Sequence, residues 1–376
     1  MYSNDEALKL HKNLKGKISI SLRGDVTPDT LKLFYSPGVG AASLYAQDNP
    51  EKLKEVSWTN NLVAVISDGS AVLGLGDIGP EGAMPVMEGK AMLFKHFADV
   101  DAVPIVLNVH TTDEIVETIK RIAPSFGGIN LEDIAAPKCF EIEERLKAEL
   151  NIPVMHDDQH GTAIVTLAGL INACKVTGKN LSDCKIVLVG AGAAGVAIAK
   201  LLYKYAKPNI VTVDSKGIIE KSRNNLNSEK KLLLEFGDPI QKPGSLSDAI
   251  RNADIFIGVS QPGLLTGEMI KTMGSRPVIF AMANPVPEIL PDEAKQAGAY
   301  IVATGRSDFP NQVNNSLGFP GIFRGALDHG ITKITDHHKI AAAEALAALV
   351  ANPSPDKIIP GPFDSGVVDA VSNAIS

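Results

Sequence analysis

The chain has 376 residues, 45% hydrophobic and 21% charged, with a formal net charge of −7. That length exceeds what one ordinary core fills, so two domains are expected. An acidic balance without any block of lysine or arginine argues against a nucleic-acid or anionic-membrane surface. Three cysteines, Cys139, Cys174 and Cys184, stand far apart with no C-x-x-C. This spacing fits reduced thiols in a cytoplasmic protein, with no disulfide frame and no zinc knuckle. No secretory signal is expected from the opening residues, and the apolar run 340–351, interrupted by Glu344, is too short for a bilayer span.

In chain order, the pattern predicts a helix over 5–14, ended by Gly16, then a glycine-rich region and apolar strands at 62–66 and 103–109. Thr111 with Glu114 has the spacing of a capping box, which predicts a helix after 112. Pro137 opens another helix, and 152–155 reads as a short buried strand. From Gly161 the pattern becomes a steady alternation of helices with strands at 185–189, 210–214, 254–259, 278–282 and 300–303. The tail reads as helical at 321–328, 336–351 and 365–374. The expected fold is α/β with two domains, 1–160 and 161–376. The second is a Rossmann-type, doubly wound parallel sheet with a helical C-terminal tail. The hinge falls near 156–162, and clefts between domains are where ligands prefer to bind.

The segment KIVLVGAGAAGVAIAKLLY holds Gly190, Gly192 and Gly195 as G-x-G-x-x-G, with Ala193 and Ala194 inside the loop. The loop follows a strand and opens a helix, so its glycines permit a tight turn and close approach of a pyrophosphate to the helix N-terminus. Asp214 ends the next strand about 20 residues on, where a carboxylate meets the adenosine ribose, which favours NAD. Lys216, two residues further, could partly neutralise a 2′-phosphate, so NADP remains open. Asn284 and Asn315 follow later strands and are placed to meet the nicotinamide or a substrate.

Two acidic pairs remain, Glu132–Asp133 after the strand-like 129–131 and Asp157–Asp158 after 152–155. Neighbouring parallel strands would bring the two pairs together, and several carboxylates at one point cannot all ionise unpaired. A hard divalent cation, Mg²⁺ or Mn²⁺, resolves that repulsion. His156 and His160 either draw the site toward a softer metal or support the helix start. Lys90, on an otherwise apolar helix, is a base candidate, because burial lowers a lysine pKa. Tyr35 precedes Ser-Pro-Gly at a turn that would open a helix.

Together these segments resemble malic enzyme in its short bacterial form. The matching stretches are YSPGVGAAS, SDGSAVLGLGDIGPEG, PVMEGK, NLEDIAAP, HDDQHGTA, GAGAAG, ANP and NNSLGFPGIFRG, in order over roughly residues 16 to 330. The resemblance implies an N-terminal substrate and metal domain and oxidative decarboxylation of L-malate to pyruvate and CO₂ with NAD(P). It implies Tyr35 as general acid, Lys90 as general base and Asp157 as the support of that lysine. Glu132, Asp133 and Asp158 would be metal ligands, Asn284 and Asn315 would contact substrate, and Thr162 would lie near the dinucleotide. Larger family members carry an arginine after the S-D-G turn for the substrate carboxylate, where this chain has Ser70 and Ala71. A homodimer is expected. The rival classes are a metal-free amino-acid dehydrogenase and a non-catalytic nucleotide sensor.

Overall fold

The computed structural model describes residues 4–72, 74–237 and 242–376; position 73, inside the S-D-G stretch, lies outside them. The first sheet contains β1 (Leu62–Ser67), β2 (Asp101–Val106), β3 (Gly128–Leu131) and β4 (Val154–His156), in the order β2-β1-β3-β4 and parallel throughout. All six residues of β1 are buried, as a strand covered on both faces requires. The crossovers are the helices Gly79–Ala98, Thr112–Ile122 and Lys138–Glu149. The capping box forms: the Glu114 N–H donates to Thr111 Oγ1 at 3.3 Å and the Thr111 N–H to Glu114 Oε2 at 3.3 Å. That helix turns Ile115, Val116 and Ile119 onto the sheet.

One strand sits earlier than its apolar run suggested. The stretch 103–109 is apolar, yet β2 occupies Asp101–Val106, pairing from Leu62↔Asp101 to Ser67↔Val106. Past Ser67 the partner strand turns into the S-D-G loop, so residues 108 and 109 have no ladder to extend. Likewise β4 starts at Val154, because Pro153 has no N–H to donate.

The second sheet holds β5 (Lys185–Val189), β6 (Asn209–Asp214), β7 (Gly217–Ile218), β8 (Ile255–Gly258), β9 (Val278–Ala281) and β10 (Ile301–Thr304). Their order is β10-β9-β8-β5-β6-β7, with β7 alone antiparallel, to β6. From β5 the chain winds outward to β6, then returns to β8 on the other side. The crevice beyond the end of β5 is therefore the switch point where such sheets bind ligands. Alternate residues feed separate cores, Ile186 and Leu188 on one face and Val187 and Val189 on the other.

The helix Asp157–Thr177 starts where β4 ends and buries residues around its whole circumference. The tail helices are Phe319–Asp328, Asp336–Ala348 and Val367–Asn373, and Asn172 Nδ2 of the long helix donates to the carbonyls of Ala347, in the second of them, and of Ile358, in the loop that follows it. Phe319, in turn, packs edge-on against Phe94 of the helix Gly79–Ala98, with ring centroids 4.7 Å apart. The tail thus closes back over the first sheet. The N-terminal helices Asn4–Leu14, Pro28–Phe34, Val39–Asp48 and Leu53–Val56 bury none of their residues.

Candidate active site

The register Leu131↔His156 between β3 and β4 sets the residues that follow each strand side by side. Asp158 Oδ2 accepts the Asp133 N–H at 2.8 Å, so the two acidic pairs meet as the strand reading expected. Asp157 and Asp158 form the first turn of a helix, where free N–H groups and the positive dipole end favour acids. Lys90 enters from the helix Gly79–Ala98, 7% exposed. Its Nζ lies 2.5 Å from Asp157 Oδ2, 2.7 Å from Glu132 Oε1 and 4.2 Å from the centre of the Phe319 ring. Asn130 Nδ2 donates to the other Glu132 oxygen at 2.9 Å.

The charge state of Lys90 differs from the expectation. Burial works to lower its pKa, but Asp157, Glu132 and Asp158 outweigh it and hold the amine charged, above its ordinary value. Burial also pushes up the carboxyls of Glu132, Asp157 and Asp158, and each is raised further by an acidic neighbour. If all three acids were ionised, the one ammonium would leave two negative charges unbalanced, and it is this repulsion that helps push the carboxyls up. This all-oxygen, electron-rich donor set fits a hard divalent cation. Among the described residues, no three His, Cys, Asp or Glu side chains converge on one ligating point as they stand.

Other groups fix this cluster, and sequence reasoning missed them. A Cβ on Gly161 would fall 1.9 Å from Asp157 Oδ1 and 3.0 Å from Asn315 Cβ, so only glycine admits the carboxylate there. Buried Glu143 accepts the His156 N–H at 2.9 Å, and its oxygens lie 2.9 Å from His160 Nε2 and 2.9 Å from Lys147 Nζ. The two histidines thus stand behind the acids as supports of the helix start. Where the arginine is missing, the Ser70 hydroxyl donates to Asp68 at 2.6 Å and accepts the Ala135 N–H at 2.9 Å, and Lys138 pairs with Asp68. Glu143 and Lys138 read in the sequence as ordinary charges of an amphipathic helix, and nothing local marked them.

The glycine loop lies at the end of β5. A Cβ on Gly195 would come within 2.0 Å of the Gly190 carbonyl oxygen, which accounts for glycine at the close approach of helix and loop. Gly192 precedes the helix Ala193–Ala206, whose first residues, Ala193 and Ala194, remain half-buried at its open end. Thr162, next to Gly161 in the sequence, is half-buried, as is Asn315, whose Cβ lies 3.0 Å from where a Cβ on Gly161 would fall. Asn284 is half-buried after β9, and Gly74 of the S-D-G loop approaches it from the first half of the chain. Buried Glu288, also missed, accepts the N–H groups of Ser260 and Ala283 and so ties the loops after β8 and β9.

Two expected site residues are not placed as read. Tyr35 is 68% exposed on the unburied N-terminal segment and does not join the buried Lys90 cluster. Asp214 is not an open carboxylate, and Lys216 meets it only through a backbone N–H, at 2.9 Å. Arg223 instead holds Asp214 with two hydrogen bonds, 2.8 and 2.9 Å, and Lys230 adds a third at 2.7 Å. Neither of these cations is singled out by the sequence.

Residues 16–147 match the family described as malic enzyme, N-terminal domain, and residues 159–365 match malic enzyme, NAD binding domain. The chain is 56% identical to the bifunctional malic/malolactic enzyme of Bacillus subtilis, over 100% of this chain and 93% of that one. It is 46% identical to the NADP-dependent malic enzyme of Halomonas elongata, over 98% and 92%. The solved NAD-dependent malic enzyme of Thermotoga maritima superposes with a TM-score of 0.95 at 50% identity, covering 98% of each chain.

Proposed function

The chain belongs to the malic enzyme family, and we propose that it converts L-malate to pyruvate and CO₂ with reduction of NAD or NADP, dependent on Mg²⁺ or Mn²⁺. The observation that carries this reading is Lys90, buried between Asp157 and Glu132 in a cluster where acids outnumber the single ammonium. A nicotinamide, when bound, would supply the hydride acceptor, and a divalent cation would supply positive charge against the negative charge left by loss of CO₂. Glu132, Asp133 and Asp158 would hold that cation. Were Glu132 engaged by the cation, Lys90 would keep Asp157 as its partner and lose part of the charge that retains its proton, which would leave it to act as base for the C2 hydroxyl. Asn284 and Asn315 orient the substrate, and Gly190, Gly192 and Gly195 admit the pyrophosphate.

Protonation of C3 falls to Tyr35, which a second copy supplies. Its segment carries Leu22, Leu33, Phe34 and Leu44 on the surface, all more than half exposed. Exposed apolar side chains gathered on a segment whose helices bury nothing are the mark of an interface. A homodimer in which each copy lends Tyr35 to the other's site satisfies both features. No helix among the described residues is long and apolar enough to cross a membrane, and a cytoplasmic location belongs to the same reading.

The test is malate-dependent formation of NADH and NADPH, with pyruvate assayed, before and after chelation of divalent ions and on adding back Mg²⁺ or Mn²⁺. Undiminished turnover in the chelator would remove the metal from the reaction. Absence of pyruvate in every condition would remove the activity itself.

A further inference from the structure

The carboxylate of Asp214 ends β6, the strand beside β5 and the glycine loop, where the adenosine ribose of a dinucleotide is read. Each of its oxygens already has two donors. Oδ1 accepts from Arg223 Nη1 at 2.8 Å and from the Lys216 N–H at 2.9 Å; Oδ2 accepts from Arg223 Nη2 at 2.9 Å and Lys230 Nζ at 2.7 Å. A ribose diol would have to displace one of these donors to be recognised. The cluster holds one acid and two cations, an excess of positive charge at the 2′ position. The side chains of Arg223 and Lys230 are 11% and 26% exposed, so the cations are held in place rather than left in bulk solvent. Arg223 Nη1 also donates to the carbonyls of Gly217 and Ile218 at 3.3 Å, which anchors the guanidinium at the β6–β7 turn. Lys230, on a flexible stem in the first turn of the helix Ser228–Phe236, has Asp214 as its acid partner and is the group free to turn toward an incoming anion.

We propose that Arg223 and Lys230 form a 2′-phosphate subsite, so that the protein binds the 2′-phosphorylated dinucleotide at least as tightly as NAD. Asp214 is then a positioning residue that holds the two cations in register, and Lys216 takes no part in reading the 2′ position. An arginine fork is suited to two phosphate oxygens at once, and an ammonium beside it adds a point charge. This rests on the reading of the glycine loop as a dinucleotide site.

Calorimetry on the intact protein with 2′,5′-ADP and 5′-AMP tests it without recourse to turnover. The wild type should bind 2′,5′-ADP at least as tightly as 5′-AMP. Lys230→Ala should weaken 2′,5′-ADP by about tenfold, the scale of one hydrogen bond to a charged group, with 5′-AMP little changed. Lys216→Ala should leave the ratio of the two affinities where it was. A ratio that moves in Lys216→Ala and not in Lys230→Ala overturns the proposal, as does a wild type that prefers 5′-AMP. If neither nucleotide binds the wild type, the dinucleotide site itself is wrong and the inference falls with it. Arg223→Gln, run in parallel with its melting temperature, gives a second reading of the same ratio.

Discussion

Two strand ends in this molecule carry aspartates with opposite charge balance. After β4, Asp157 and Asp158 join Glu132 around a single ammonium, Lys90. At the end of β6, Asp214 faces two cations, Arg223 and Lys230. Burial and repulsion raise the first set of carboxyls. At Asp214 burial works the same way, but Arg223 and Lys230 overcome it and hold the carboxyl well below the ordinary range. The same residue type at the end of a parallel strand therefore sits among excess acid at one site and among excess cation at the other. What separates them is the count of charged side chains delivered by elements distant in sequence.

The largest expected effects lie in the acid-rich site. Lys90→Met and Tyr35→Phe should each cut malate turnover by about 10²–10⁴, the usual scale of one acid–base group. If Tyr35 crosses to a second copy, differently tagged mixtures of the two variants should recover roughly a quarter of wild-type activity. Half of the random dimers then carry one intact site. A mixture no more active than its components would place Tyr35 in its own chain's site or outside the reaction.

Asp158→Asn should abolish Mn²⁺ binding, followed by calorimetry, and lower turnover by about 10² or more, since the metal's charge stabilisation is several kcal/mol. In metal-free buffer the same variant should melt no lower than the wild type, because it removes one of three acids sharing Lys90. Affinity for 5′-AMP at the other strand end should stay as it was. A variant that loses the nucleotide along with the metal would show that the two ends are not independent.

Glycine substitutions sharpen the contrast at a smaller scale. Gly161→Ala places a Cβ 1.9 Å from Asp157 Oδ1 and should cost about 1–3 kcal/mol by overpacking, with turnover falling as Asp157 is pushed off Lys90. At Gly192 a Cβ meets nothing within 4 Å, so Gly192→Ala should keep the melting temperature and weaken only the dinucleotide. Equal melting temperatures for the two variants would mean that the helix start yields more easily than its packing suggests.

The smallest effect is in acid. Because the Asp214 carboxyl is depressed in the fold, its contribution is present above the ordinary carboxylate range and is lost as pH falls through the folded value. Asp214→Asn should therefore be less stable at neutral pH, and its melting temperature should fall less steeply than that of the wild type below about pH 4. Parallel curves for the two proteins would mean that Asp214 titrates as an ordinary surface acid.

Local pattern determined much of this protein. Apolar runs and capping residues marked the longer strands, the first helix and the tail helices to within a few residues, since hydrophobic period and capping are properties of neighbours in the chain. The glycine loop and both acidic pairs were legible for the same reason, and the meeting of those pairs followed from strand adjacency. Tertiary structure alone decided the rest. Lys90 stays charged because three acids from two other segments surround it, and no window around Lys90 contains them. Arg223 and Lys230 saturate Asp214 from 9 and 16 residues away, in a stretch whose composition resembles exposed loop. Tyr35 has every local sign of a site residue, yet its burial depends on what covers the N-terminal segment. Charge state and exposure are sums over groups brought together in space, and a linear pattern records only those that are also close along the chain.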